Sequence, residues 1–305
     1  MIKHLRHTEI NKSKWDNTIK LSPEGIVYAA SWYLDIVSPG WEALMDDDYK
    51  FIFPLCNRSK FGFSYLYQPH FTQQGGLFSI SGFPSTNKVK QFLDAIPEKY
   101  KLIEINLNTS NHIDAFNTGK VSKRRTHHLS LRKPIEELRK NYSDNLKRNL
   151  KKSKQVEQII ESAKEVKEII ALFRSERGKN IEQLGDKEYN ILERLISIAQ
   201  KRNEVEILLT RNSSGKITAG AVFLKSFTSY IFLFSATGNE ARESGSMSLI
   251  IDHFIEKHQQ ENKLLDFEGS MNDDLSRFYR GYGSQEIVYL QIRKNTLPIP
   301  IRWFK

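Results

Sequence analysis

The chain has 305 residues and a hydrophobic content of 39%, which fits one large folded domain or two ordinary ones and excludes a disordered chain. No apolar run approaches the roughly 20 residues that span a bilayer, and no apolar core follows the basic start of a secretory signal. Cys56 is the only cysteine, so an intrachain disulfide is excluded. Since Cys56 lies in an apolar run, we interpret it as a buried structural thiol and expect a cytoplasmic protein.

The net charge of +10 is concentrated in one segment. Residues 120–154 hold 13 Lys and Arg against 3 Asp and Glu, an excess equal to the net charge of the whole chain. Such a segment attracts phosphates, so its candidate partners are nucleic acid such as tRNA, a nucleotide-linked substrate or, in a peripheral membrane contact, anionic lipid headgroups. The alternative is a solvated basic helix that binds no partner.

The first half of the chain alternates short strands with a few helices. Helical spacing of apolar residues predicts a helix over 29–37, stopped by Pro39-Gly40, and another over 85–100. Alternating patterns predict strands over 41–45, 49–56, 63–69 and 102–107. The first two are joined by an acidic hairpin turn at 46–48.

A loop rich in amides and glycines follows the aromatic strand at 63–69. Polar groups cluster there without the usual charges, which favours a substrate-facing loop. The alternative is a glycine turn between strands. The candidate binding residues of this loop are Gln68, His70, Gln73 and Gln74.

The basic segment contains a predicted amphipathic helix over residues 135–152, directly after Pro134. Its apolar residues recur at steps of three and four and form one packing stripe. Cations lie mainly off that stripe, and we expect them to face an anionic partner. The candidate contacts are Lys147, Arg148, Lys151 and Lys152.

The second half then predicts helices over 162–179 and 186–202, followed by an antiparallel meander with strands at 205–210, 217–225 and 230–236. A loop of small residues from 235 to 247 leads into the next helix. Backbone N–H groups at such a helix start favour anions, so this loop is a candidate phosphate site. The alternative is a simple N-cap by Ser244 or Ser246. The candidate residues are Arg242, Ser244, Gly245 and Ser246.

The stretch 264–292 predicts a strand, an acidic turn with Asp266 and Glu268, a short helix capped by Asp273 or Asp274, and a last strand. Gly281 and Gly283 end the short helix. Turns at strand ends in mixed sheets are common places for a site. The sequence shows no cluster with metal-ligand spacing, and we expect no metal.

The order of elements in the second half resembles a GNAT-type acyltransferase. Residues 242–247, Arg-Glu-Ser-Gly-Ser-Met, are similar to that family's pyrophosphate loop, with Met247 where glycine or alanine is usual. A closer resemblance is to the Fem-type tandem GNAT proteins, which are related to peptidoglycan-bridge aminoacyltransferases. Residues 141–152 resemble the helix that starts their second domain, and residues 266–270 and 278–283 resemble their strand, turn and Phe-Lys-x-x-Phe-Gly segment. The resemblance covers about residues 129–292.

This resemblance implies an α+β fold of two tandem GNAT-like domains, 1–128 and 129–305, with mixed, mostly antiparallel sheets flanked by helices. It implies transfer of an acyl or aminoacyl group from acyl-CoA or aminoacyl-tRNA to an amine, with cell-wall precursor metabolism as a possible setting. Glu268 or Asp266 is then the candidate acid/base or amine-orienting group, with Tyr279 nearby. The alternative is a non-catalytic GNAT scaffold that binds a phosphate-rich ligand, which Met247 favours.

Overall fold

The computed structural model describes residues 1–116, 119–181, 184–269 and 271–298, without the side chains of Asn180, Glu240, Arg242 and Glu243. The chain forms two compact units: unit 1 is Met1–Arg125 together with the chain from Val288, and unit 2 is Thr126–Ile287. The chain passes from one unit to the other inside two strands. The predicted domains 1–128 and 129–305 stay a prediction, and they differ from these units because the last strand returns to unit 1.

Unit 1 begins with short strands and two helices. The bounds of its elements are β1 Lys3–Leu5, α1 Lys12–Leu21, α2 Ser31–Val37, β2 Glu42–Asp46, β3 Phe51–Leu55, β4 Asn57–Lys60, β5 Phe63–Leu66, β6 Phe78–Ser79, α3 Thr86–Asp94 and β7 Tyr100–Asn106. The predicted helices and strands of the first half each overlap an observed element, whereas the short strands β1, β4 and β6 were not predicted. The strand β8, Lys120–Ser130, then leads into unit 2.

The strands of unit 1 pair in two groups. β1, β2, β3 and β6 form an antiparallel sheet. β4 pairs antiparallel with β5, and β5 pairs parallel with β7. The returning strand β14, Gln285–Asn295, pairs antiparallel with β7. Phe92 of α3 packs on Phe53 of β3, with ring centroids 6.5 Å apart, so α3 closes the apolar core over this part of the unit.

Unit 2 contains the predicted meander between helices. Its elements are α4 Ile135–Lys140, α5 Asp144–Ser153, β9 Gln158–Ser162, α6 Lys167–Ser175, α7 Asp186–Lys201, β10 Val205–Asn212, β11 Ile217–Lys225, β12 Ser229–Thr237, α8 Asn239–Ser244, α9 Ser246–Lys257, β13 Leu264–Asp266 and α10 Asp273–Arg280. Its strand order is β8, β13, β12, β11, β10, β9, and the β12–β13 pair is the parallel one among them.

Helices pack closely on the sheet of unit 2. Phe254 of α9 stacks on Phe223 of β11 with ring centroids 3.8 Å apart. α6 crosses β11 at Gly220, where an added Cβ would lie 2.5 Å from Ile169. These contacts fix α6 and α9 on the strand that neighbours β12, and both helices contribute residues to the cavity described below.

Two helix predictions in unit 2 are corrected by the structure. The predicted single helix over 135–152 is two helices, because Ser143 has extended backbone and its side chain caps α5 by accepting the Leu146 N–H. The predicted small-residue loop at 235–247 contains α8, which Gly245 separates from α9.

Candidate functional site

The parallel strands β12 and β13 separate partway along their length. They pair from Ser229 with Leu264 to Ile231 with Asp266, and β12 then continues to Thr237. The chain after β13 turns away, since the Phe267 N–H donates to the carbonyl of His127 in β8. This separation opens a space beside the second half of β12. Spaces at the carboxyl ends of parallel strands are frequent ligand sites.

A cavity of about 630 Å³ lies at this opening. Its volume is within the range of small-molecule sites. Every described lining residue belongs to unit 2, and these residues come from β12, from α5, from α8, from the end of α6 and the turn after it, from the start of α9 and from α10. They are Asn149, Phe173, Glu176, Arg177, Phe232, Ser235, Ala236, Thr237, Ala241, Gly245, Met247, Ser248, Leu275, Phe278 and Tyr279.

Glu268 lies in the acidic turn after β13 in an unusual backbone conformation, with φ of +53°. Its N–H donates to Asp266 Oδ1 at 2.8 Å. Its Oε1 is buried and has no hydrogen-bonding partner among the described residues. Burial raises the pKa of this carboxyl to about 8. A carboxyl in this state can exchange a proton near neutral pH.

Asp266 holds the turn in place. Its carboxylate is buried, accepts hydrogen bonds from Thr126 Oγ1 and the Glu268 N–H, and lies 3.3 Å from His128 Nε2. Burial opposes its ionisation, but the nearby His128 and these hydrogen bonds outweigh burial and lower the pKa of Asp266. Burial opposes protonation of His128, but the charge of Asp266 and its hydrogen bond outweigh burial and raise the pKa of His128. Asp266 is therefore an ionised brace for the backbone of Glu268.

Tyr279 connects this turn to the cavity. It lines the cavity, and its ring stacks on Phe267 with centroids 5.1 Å apart. Burial, and secondarily the charge of Glu268, raise the pKa of Tyr279 to about 12, while Arg177 opposes the shift. Glu268 is not among the described lining residues. Of Glu268 and Tyr279, therefore, Tyr279 is the residue that a molecule in the cavity would contact.

The N-cap of the helix that carries Tyr279 lies one residue before the predicted caps, Asp273 or Asp274. Asn272 is the N-cap of α10, and its side chain accepts the N–H groups of Asp274 and Leu275. Asp273 and Asp274 instead lie in the first turn, where carboxylates favour the helix dipole. The predicted stop is confirmed, since α10 ends at Arg280 with Gly281 as its C-cap.

Gly245 brings two helices close together beside the cavity. It has φ of +67°, and an added Cβ would lie 2.4 Å from the carbonyl oxygen of Asn149 in α5. A side chain at this position would both strain the backbone and separate α5 from the start of α9. Gly245, Met247 and Ser248 line the cavity, so the start of α9 faces it.

The hydroxyls of the candidate phosphate site are turned into the protein interior. Ser246 is fully buried, and its Oγ lies within hydrogen-bond distance of Ser244 Oγ, Gln158 Oε1 and Thr218 Oγ1. A ligand in the cavity would therefore meet the backbone and Ser248 rather than the hydroxyl groups of Ser244 and Ser246. The side chain of Arg242 lies outside the described residues.

The cations predicted to bind an anion are exposed on α5. Lys147, Arg148, Lys151 and Lys152 are all exposed, and none forms an ion pair with any described residue. At 100° per residue, Arg148 and Lys152 lie on the flank that continues from the cavity-lining Asn149, and Lys147 and Lys151 lie on the far flank. One half of the cationic surface therefore borders the cavity side of α5.

The two segments that carry the Fem-type resemblance pack against each other. The Ser143 N–H donates to the Gly281 carbonyl at 2.9 Å. An added Cβ at Gly283 would lie 2.9 Å from Asn141. The rings of Tyr142 and Tyr282 meet edge to face at 5.6 Å. These residues join the start of α5 to the end of α10, so their shared pattern serves the fold of the unit.

The amide loop of unit 1 is bonded to itself and to β7. Gln68 accepts the Asn106 N–H at 2.8 Å and donates to the Thr72 carbonyl at 2.7 Å. Gln74 is buried and donates to Gln73 Oε1. His70 is partly exposed. The assignment of these four side chains to substrate binding stays a prediction.

The loop occupies the place where the parallel strands β5 and β7 of unit 1 end. The Gly75 N–H donates to the Asn106 carbonyl, and Tyr33 Oη donates to the Phe71 carbonyl. A cavity of only about 20 Å³ lies beside this loop. Each unit thus contains a strand pair of the same kind, with a filled space in unit 1 and an open space in unit 2.

Several cavity residues have no signal in the sequence. Phe173, Glu176 and Arg177 come from the end of α6 and the turn after it. Gly178 makes this turn compact, since an added Cβ would lie 2.9 Å from the Phe173 carbonyl oxygen and 3.0 Å from Tyr189 Oη. Local patterns show a helix here, but they do not show that its end reaches β12.

Comparison with solved structures identifies the fold. The chain is similar to FemX, with a TM-score of 0.67 and 14% identity over 94% of this chain and 96% of that one. It is also similar to L-PGS from Bacillus licheniformis (TM-score 0.55, 10% identity, covering 96% and 93%) and to a tandem GNAT protein from the clavulanic acid biosynthesis pathway (0.53, 9%, covering 98% and 99%). No protein-family model and no curated protein matches the sequence.

The chain therefore has the α+β fold of the Fem-type tandem GNAT proteins, and the fold predicted from the sequence is confirmed. This is the fold of GNAT-like acyltransferases. Among the described residues, no helix is long and apolar enough to cross a membrane, and no three His, Cys, Asp or Glu side chains form a group that could hold a metal ion.

Proposed function

We propose that the protein is an N-acyltransferase that moves an acyl or aminoacyl group from a phosphate-bearing carrier to an amine. The observation that carries this proposal is the Glu268 carboxyl, whose Oε1 is buried without a partner among the described residues, whose pKa is about 8, and whose charge contributes to the raised pKa of the cavity-lining Tyr279. A carboxyl oxygen that is buried without a hydrogen-bonding partner is costly for the fold, and a carboxyl with such a raised pKa suits proton transfer.

The reaction needs one proton removed and one supplied. The amine nitrogen attacks the acyl carbonyl, a C–N bond forms, and the bond from the carbonyl carbon to the carrier oxygen or sulfur breaks. Glu268, ionised in part of the molecules at neutral pH, accepts through Tyr279 the proton that the nitrogen loses, since Tyr279 lines the cavity and Glu268 lies behind it. Tyr279 is protonated at this pH, since its pKa is about 12, and its hydroxyl can donate a proton to the leaving atom.

Asp266 has a positioning role in this scheme. Its three described contacts, with Thr126, His128 and the Glu268 N–H, hold the turn and keep the Glu268 backbone fixed. Gly245 and Ser248 line the donor end of the cavity, where the start of α9 favours an anion, and Ser246 remains a predicted contributor to it. Arg242 and Ser244 remain predicted contributors to that end.

The carrier is aminoacyl-tRNA or acyl-CoA, and the exposed cations of α5 favour the longer polyanion. Lys147, Arg148, Lys151 and Lys152 are available to phosphates along the helix. On the acceptor side, Gln68, His70, Gln73 and Gln74 remain predicted contacts. A setting in cell-wall precursor metabolism follows only from the resemblance and is part of the proposal.

The test is transfer to a panel of amine acceptors from acyl-CoA and aminoacyl-tRNA donors by the wild-type protein and Glu268→Gln. We expect Glu268→Gln to lower kcat by about 100-fold or more, because a positioned acid/base contributes about 10²–10⁴. Glu98→Gln, at an exposed position in unit 1, is the matched control and keeps full activity. Unchanged turnover in Glu268→Gln would remove Glu268 from the reaction. Donor binding without any transfer would instead support a phosphate-binding scaffold.

A further inference from the structure

The wall of the unit 2 cavity is dominated by large apolar side chains. Six of them line it between the start of α9 and the acidic turn: Phe173, Phe232, Met247, Leu275, Phe278 and Tyr279. We infer that the group transferred at this site is bulky and apolar, a branched aliphatic or aromatic acyl or aminoacyl group. This inference rests on the proposed function and adds the class of donor to it.

The apolar wall is held in a fixed shape by the core. Phe173 packs on Phe234 with ring centroids 4.9 Å apart. Phe232 and Tyr279 both pack on Phe267, at 6.3 Å and 5.1 Å. Phe173, Phe232, Met247 and Tyr279 are each less than 10% exposed as whole residues. A small acyl group would leave the space between these apolar side chains unfilled, since buried aromatic side chains cannot collapse onto it.

The charged groups of the wall do not select a charged acyl group. Among the described lining residues, the charged ones are Glu176 and Arg177, adjacent and opposite in sign. Arg177 is exposed, and Glu176 is partly exposed, so both lie at the solvent side of the site. A lysyl side chain in the cavity would place its ammonium against aromatic and aliphatic side chains, where burial of a charge is costly.

The first experiment uses stable, amide-linked 3′-aminoacyl-adenosine analogues with glycyl, lysyl, leucyl and phenylalanyl groups, together with acetyl-CoA and phenylacetyl-CoA. Their affinities for the full-length protein are measured by titration calorimetry. We expect the leucyl and phenylalanyl analogues to bind about tenfold or more tightly than the glycyl and lysyl analogues, because each buries an apolar side chain. On the CoA carrier, phenylacetyl-CoA should exceed acetyl-CoA by a similar factor.

The second experiment changes the volume of the cavity. Leu275 is partly exposed on α10, so Leu275→Trp can fold while it fills part of the space. This variant should lose the preference for leucyl and phenylalanyl groups while binding of the glycyl analogue is retained. Ile159→Trp, at a position that is 68% exposed and outside the lining, is the matched control and keeps the preference.

The outcomes separate the two proposals. Equal affinities for all four analogues, tightest binding of the lysyl analogue, or an unchanged preference in Leu275→Trp would overturn the assignment of a bulky apolar group and leave acyl transfer standing. Failure of every analogue and both CoA thioesters to bind would contradict the donor site itself, and both proposals would then fail.

Discussion

Glu268 makes the stability of the fold depend on pH. Its pKa is about 8 in the folded state, against 4.5 for the unperturbed group, so the folded protein keeps a proton that the unfolded chain releases between these values. The unfolded state then binds fewer protons, and its free energy falls relative to the folded state as pH rises. We expect the contribution of Glu268 to lower the free energy of unfolding from about pH 5 to pH 8.

Denaturant unfolding of wild type and Glu268→Gln at pH 5 and pH 9 measures this contribution. The wild-type protein should lose more stability than Glu268→Gln between the two values, since glutamine does not titrate. An equal loss in both proteins would mean that Glu268 is solvated and ionises normally in the folded state.

Substitution of Gly245 tests whether the close contact between α5 and the start of α9 stabilises the fold. In Gly245→Ala the new Cβ would lie 2.4 Å from the Asn149 carbonyl oxygen, at a backbone φ of +67°. We expect a loss of unfolding free energy of about 1–3 kcal/mol, from backbone strain and overpacking. Gly215→Ala is the control for the backbone effect alone, because its φ is +79° and nothing lies within 4 Å of the added Cβ. Equal losses in the two variants would show that the contact with Asn149 adds no cost.

The sequence indicated Glu268 but not its environment. An acidic residue in a turn after a strand is visible as a pattern, whereas the unpartnered Oε1 depends on how β8, β13 and α10 pack around the turn. The sequence pattern was also insufficient to assign a role to Asp266. Its type and place fitted an acid/base role equally well, and the contacts with His128 and Thr126 favour a bracing role.

At the level of elements, we expect charge reversal on the two flanks of α5 to affect tRNA binding differently. Arg148→Glu with Lys152→Glu reverses the charge on the flank that continues from Asn149, and Lys147→Glu with Lys151→Glu reverses it on the far flank. If the carrier is tRNA with its acylated end in the cavity, we expect the first pair to weaken tRNA binding about tenfold or more and the second pair to have the smaller effect. Filter binding across a salt series measures both affinity and the salt slope.

The two double variants change the net charge equally, so each is the matched control of the other. Equal weakening would indicate a general attraction between α5 and the polyanion. No effect of either pair would show that α5 is a solvated helix, as in the alternative interpretation of the sequence.

The meander and the helices that flank it were predictable because their signals are local. Alternating and helical spacings over 205–236 and 186–202 are each complete within one segment. The break at Ser143 was missed because the apolar stripe runs through it, and the cap becomes visible only as a hydrogen bond to Leu146. Local spacing also did not show α8 within the small-residue loop.

At the scale of the whole molecule, the amide loop of unit 1 has either a structural role or a substrate-binding role, and substitution of Gln68 distinguishes the two. Gln68 joins the loop to Asn106 and Thr72 by two hydrogen bonds. We expect Gln68→Ala to lower the free energy of unfolding by about 1–3 kcal/mol, since the partly buried Asn106 N–H loses its acceptor. Urea denaturation and acceptor KM distinguish the roles. A raised KM with unchanged stability would support the substrate-binding prediction instead.

The organisation of the chain into units was the part least open to sequence reasoning. The return of β14 to unit 1 depends on its pairing with β7, about 185 residues earlier in the chain, as between Gln291 and Asn106. The cavity likewise joins the ends of β12 and α6 with the start of α9 and with α10. Pairing over such distances leaves no periodic pattern in the sequence, so the resemblance to Fem-type proteins predicted the fold where local patterns could not.

The central claim, that Glu268 is the proton acceptor in acyl transfer, is tested most directly by the pH dependence of kcat/KM. The wild-type protein should gain activity as pH rises and level off above about 8, because only the ionised carboxyl accepts a proton. Glu268→Gln should be at least about 100-fold slower and lack this transition. A Glu268→Gln protein with the wild-type profile and rate would contradict the account.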